Sequence, residues 1–138
     1  MDKPIHPRVE AALVADQGIL ESFGMTVGSA RDGRCEISAT VPAALVNAAG
    51  FAHGSVAFAI MDTACAYAIT SLEVRGVTLS ANTSYVKAAQ PGSRLRGRVE
   101  LASRTRSVAT LRGEVFLVSA EGEALAAHGS FVFKLIDG

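Results

Sequence analysis

Residues 54–71 form a stretch with no proline and, after Gly54, no glycine, and most of its positions are Ala, Val, Ile, Phe or Met. A helix that is apolar nearly all round has no wet face and has to be enclosed by protein. Its longest apolar runs, 56–61 and 64–69, are split by Asp62 and Thr63 and together fall short of a membrane span. The rest of the chain must therefore supply the enclosure.

Most of that remainder reads as strand. Beyond Gly76 the segments 77–87, 94–103, 107–119 and 123–135 are separated by Pro91-Gly92, residues 104–106 and Glu121-Gly122. Arg94, Arg96, Arg98 and Glu100 alternate with Leu95, Gly97, Val99 and Leu101, which gives one wet and one buried face. Upstream, residues 7–23 carry Val9, Leu13, Leu20 and Phe23 in an amphipathic helix opened by Pro7, with Gly18 weakening its continuity. Residues 25–41 alternate around Asp32-Gly33 as a hairpin, and residues 43–52 form a loop holding Asn47 and Gly50. The expected architecture is α+β, an antiparallel sheet wrapped around one long central helix. It reads as a single domain over residues 1–138, with residues 1–24 as an N-terminal helical segment. One sheet cannot enclose a helix completely, and a second copy of the chain is the simplest cover.

Composition narrows the function. Of the 138 residues, thirteen Lys and Arg balance thirteen Asp and Glu, which argues against dedicated nucleic-acid binding. Cys35 and Cys65 are too few for a secreted disulfide framework and read as buried, reduced thiols. No apolar run follows the charges at the start, as a signal peptide would require, so a cytoplasmic protein with no membrane partner is expected.

Asp62 stands out, eight positions into the apolar helix between Met61 and Thr63. A carboxylate there surfaces on a thin polar stripe, or it serves as a general base or nucleophile in a cleft. Gly54 opens the helix, where free N–H groups suit a carbonyl oxygen gaining charge. Taken alone, His53 reads sooner as a capping or packed histidine than as a catalyst, and Asn47 as a turn former. Gly54 and Asp62 lie roughly 12 Å apart along one helix, too far to act on the same carbonyl. Two antiparallel copies meeting across a dimer would set Asp62 of one beside Gly54 of the other, giving two shared sites. His6, His53 and His128 lack metal-ligand spacing, Ser55 lacks a nucleophile elbow, and no phosphate-cradling glycine loop occurs. No metal and no cofactor are expected.

Asn47, His53, Gly54, Ser55, Phe58, Asp62 and Thr63 together resemble the hot-dog-fold thioesterases of the phenylacetate-degradation (PaaI-like) type. Those proteins carry an Asn, six residues on a His-Gly-Gly, and an Asp eight beyond the first of those glycines. The resemblance spans about residues 20–136. It implies hydrolysis of acyl- or aryl-acyl-coenzyme A by Asp62, with the Gly54 amide polarising the thioester and Asn47 and His53 shaping the site. It also implies a hydroxyl near the start of the third strand, where Thr78 and Ser80 share a face if two-residue periodicity holds. It further implies a homodimer, with a tetramer built as a dimer of dimers.

The chain departs from that pattern at Ser55, which replaces the second glycine and adds a hydroxyl where substrate would pass. Thr63 beside Asp62 joins the expected substrate contacts. Among the clustered arginines, Arg104 and Arg106 at a hairpin tip are candidates for coenzyme A phosphates, against a plain solvated sheet face. Two rivals share the fold. The first is a non-catalytic acyl-CoA-binding protein. The second is a hydratase, disfavoured because no histidine lies between Asp62 and His128.

Overall fold

The computed structural model describes residues 3–137. In chain order the elements are α1 (Pro7–Ala15), α2 (Gln17–Ser22), β1 (Met25–Arg31), β2 (Arg34–Thr40), α3 (Gly54–Thr70), β3 (Arg75–Tyr85), β4 (Arg94–Arg104), β5 (Val108–Ser119) and β6 (Gly122–Asp137). The strands form one six-stranded antiparallel sheet in the order β1-β2-β4-β5-β6-β3. It wraps around α3, as the hot-dog architecture requires.

The 17 residues of α3 supply the core. Val56, Ile60, Met61, Ala64, Cys65, Ala68 and Ile69 are buried against Ile37, Leu95, Val99, Leu111, Val115, Phe131 and Phe133 of the sheet. Gly97 lets β4 come close, because a Cβ there would overlap Ile60 Cγ2. Burial pushes the Cys35 thiol up to about 12 and moves Cys65 in the same direction, so both are inert thiols inside the core.

The sheet leaves one stripe of α3 uncovered. Gly54, Phe58, Asp62, Ala66 and Thr70, spaced four residues apart, are all less than fully buried. Beside that stripe runs β3, a sheet edge with no strand on its outer side. Val77 and Leu79 on this edge are 48% and 56% exposed.

Three expectations need correction. The helix over residues 7–23 is two helices, and the break falls at Asp16 (φ −98°, ψ 12°), not Gly18. Asp16 is held there because its Oδ2 accepts the hydroxyl of buried Tyr67 at 2.7 Å, tying the N-terminal segment to α3. The third strand runs from Arg75 to Tyr85, two residues earlier at both ends than its pattern predicts. Finally, β3 does not keep a two-residue period. Its register shifts between Thr78, opposite Phe133, and Ser80, opposite Val132. Phe133 is buried and Val132 is not, so the bulge at Leu79 puts Thr78 on the helix side and Ser80 on the outer side.

Candidate active site

The loop before α3 is built by Asn47. Its Oδ1 accepts the N–H groups of Ala49 and Phe51 at 3.0 and 3.1 Å, and Gly50 takes a left-handed φ of 88° to close the turn. With that oxygen occupied, the side-chain NH2 is the part of Asn47 left to donate.

The loop delivers His53 as the N-cap of α3. Its Nδ1 accepts the N–H of Ser55 at 3.0 Å and lies 2.8 Å from Ser55 Oγ. The capping role is therefore real, and Ser55 turns its hydroxyl back onto the histidine. Gly54, the first residue of the helix, has an N–H with no acceptor among the described residues. It is a free donor at the positive end of the helix.

A cavity of about 320 Å³ opens at this helix start, with Asn47, His53 and Gly54 in its lining. Phe51, Ala57, Val86 and Leu95 make much of the remaining wall apolar, as an acyl group would need. Tyr85 is also part of the lining and donates from its hydroxyl to the Gly54 carbonyl at 2.7 Å. Sequence reasoning missed Tyr85, for which the one signal was that a phenol seeks a polar partner.

Asp62 lies two turns further along α3, half-buried, where Thr78 Oγ1 donates to its Oδ1 at 2.7 Å. Of the two hydroxyls on β3, Thr78 is the one that meets the carboxylate. Thr63 is half-buried beside it. Phe58, between Gly54 and Asp62 on the uncovered stripe, packs on Phe131 with ring centroids 5.6 Å apart. The chain thus carries an unpaired helix-start amide and a carboxylate on the same open stripe.

The outer sheet face has a larger depression of about 1220 Å³, lined by charges of both signs that include Arg34, Glu36, Arg98, Glu100, Arg112 and Glu114. Arg96 and Arg98 both hydrogen-bond Glu123, so these arginines belong to a solvated, internally paired face. Arg104 and Arg106 are exposed and have no ion-pair partner among the described residues. Arg104 is nine residues along β4 from Leu95 of the cavity wall, roughly 30 Å within one protomer. Among the described residues, no group of His, Cys, Asp and Glu could hold a metal ion, and no helix is long and apolar enough to cross a membrane.

The family model described as Thioesterase superfamily matches residues 49–123, which include both ends of the stripe. A Deinococcus radiodurans protein named as an esterase is 35% identical over 106 residues, 77% of this chain and 71% of that protein. A mutant of the phenylacetic acid degradation protein PaaI from Thermus thermophilus superposes with a TM-score of 0.78 at 27% identity, covering 86% of this chain and 99% of that one. A Streptococcus pneumoniae thioesterase protein solved with coenzyme A gives 0.76 at 23% identity, over 82% and 89% of the two chains.

Proposed function

This chain belongs to the thioesterase superfamily and is a thioester hydrolase, and from that premise we propose that it cleaves acyl- or aryl-acyl-coenzyme A, phenylacetyl-CoA-like esters included, to the free acid and coenzyme A. The coenzyme A held by the pneumococcal relative supports that substrate class, and the Thermus PaaI supports the aryl-acyl group.

The carrying observation is the open stripe of α3, with a free amide at Gly54 and a Thr78-held carboxylate at Asp62 too far apart to share one carbonyl. An antiparallel second copy seated on the β3 edge brings Asp62 of one protomer to Gly54 of the partner subunit and covers Val77 and Leu79. The active unit is a homodimer with two shared sites, and two dimers associate as a tetramer.

In the reaction, the thioester carbonyl accepts the Gly54 N–H while Asp62 takes a proton from water and the water oxygen bonds to the carbonyl carbon. The tetrahedral oxyanion collapses, the C–S bond breaks, and the thiolate leaves with the proton Asp62 held. Asp62 attacking directly, through a mixed anhydride, uses the same geometry. A single turnover in oxygen-18 water tests the direct route, because unlabelled acid marks an anhydride that water opens at the Asp62 carbonyl. Asn47 and His53 shape the carbonyl end, Ser55 and Thr63 border the substrate, and the site works in the cytoplasm.

The deciding experiment is thiol release from a panel of aryl-acetyl, benzoyl and straight-chain acyl-CoA esters, wild type beside Asp62→Asn. Turnover that the substitution lowers by about 10² to 10⁴-fold is the expected result. Tight binding of every ester with no release from any would replace this reading with an acyl-CoA-binding protein.

A further inference from the structure

Two hydrogen-bond contacts converge on one nitrogen at the helix start. His53 Nδ1 accepts the Ser55 N–H at 3.0 Å, and Ser55 Oγ stands 2.8 Å away. A backbone N–H can only donate, so Nδ1 carries no proton, and in the neutral ring the proton sits on Nε2. The amide supplying that N–H is the one whose carbonyl, Gly54 O, accepts the Tyr85 hydroxyl at 2.7 Å. A donor on the carbonyl of an amide polarises it and strengthens the bond made by its N–H. The contacts thus form one chain, from the phenol through the Gly54–Ser55 peptide to the imidazole.

Tyr85 is well placed to act on the helix from outside it. It ends β3, 31 residues from Gly54 in sequence, and so ties the edge strand to the first turn of α3. Its ring also fills the space above the glycine. A Cβ on Gly54 would stand 3.3 Å from the Tyr85 hydroxyl and 3.4 Å from the carbon that bears it. Burial raises the pKa of the phenol, which keeps it protonated and donating.

We propose that Tyr85 is a positioning residue: through the Gly54–Ser55 peptide it fixes the helix start and the Nε2-protonated form of His53 at the mouth of the substrate cavity. The proposal rests on the thioesterase reading, and it assigns a task to a side chain that touches neither Asp62 nor the reacting water. Ser55 serves the same end, its hydroxyl adding a second contact to Nδ1 where a glycine would add none.

Tyr85→Phe removes the hydroxyl and keeps the ring. The expected result is a fall in kcat of about five- to tenfold, with KM for the same ester held within about twofold and Tm nearly unchanged. A long-range proton–nitrogen spectrum of the wild-type His53 ring should show Nδ1 unprotonated and Nε2 protonated, and the Nδ1 signal should move in Tyr85→Phe. A wild-type kcat with an unmoved Nδ1 signal would overturn the proposal. So would a lowered Tm with kcat and KM changed together, which marks packing alone. If the wild type turns over no ester, the thioesterase reading falls by itself, and the Nδ1 signal alone decides whether Tyr85 positions His53.

Discussion

Thr78 Oγ1 donates to Asp62 Oδ1 at 2.7 Å, so a carboxylate in the middle of the central helix is held by the edge strand and not by its own helix. One carboxylate oxygen is thereby fixed, and the other accepts no hydrogen bond among the described residues. Thr78→Val keeps the shape and removes the donor, and kcat should fall about tenfold or more, since hydrogen bonds to charged groups are the stronger ones. Thr78→Ser should keep most of the activity. Steady-state rates of the two variants decide it, and a Thr78→Val enzyme as fast as wild type would show that Asp62 does not depend on the strand.

The closeness of α3 to the sheet rests on Gly97. Any Cβ there overlaps Ile60 Cγ2, and Ile60 is fully buried, so the helix or β4 has to shift. Gly97→Ala should lower unfolding free energy by about 1–3 kcal/mol. Adding Ile60→Ala should cost less than the sum of the two single changes, because the second opens the space the first needs. Denaturant unfolding of the three variants measures this, and strict additivity would mean the overlap is absorbed elsewhere.

Much of this fold was legible because hydrophobic period follows burial. The nearly all-apolar sequence of α3 and the alternation of β4 are direct records of what each face touches. The carboxylate in that sequence was legible as a polar exception to an apolar rule, and Gly54 from its place at the helix start. The Leu79 bulge was not, since no glycine or proline marks it, and one extra residue reversed the face of Ser80. Nor was Tyr85, whose partner lies 31 residues away. The break at Asp16 depends on a hydroxyl 51 residues distant, while Gly18, the local breaker, sits inside α2.

Arg104 and Arg106 stand at the β4–β5 tip, far from the Gly54 of their own chain and without an ion pair among the described residues. If they hold coenzyme A phosphates, they do so at the site of a neighbouring protomer. The double change Arg104→Ala/Arg106→Ala should then raise KM for coenzyme A esters about tenfold and leave a short thioester without the nucleotide unaffected. Comparing the two substrates is the measurement. Equal effects on both would return these arginines to the solvated face they share with Arg96 and Arg98.

In the proposed dimer the β3 edge carries the assembly, and the shared site depends on it. Leu79 is 56% exposed on an edge with free backbone groups, beside the uncovered stripe of α3. Leu79→Asp places a charge where two copies would each bury an apolar side chain, at little cost to a protomer in which the position is already wet. Sedimentation should show the wild type as a dimer or larger and the variant as a monomer, with circular dichroism unchanged. Turnover should be lost with the dimer, because neither protomer holds Gly54 and Asp62 within reach of one carbonyl. A monomeric variant that keeps full activity would place both groups in a single-protomer site, and the antiparallel pairing would then have to be abandoned.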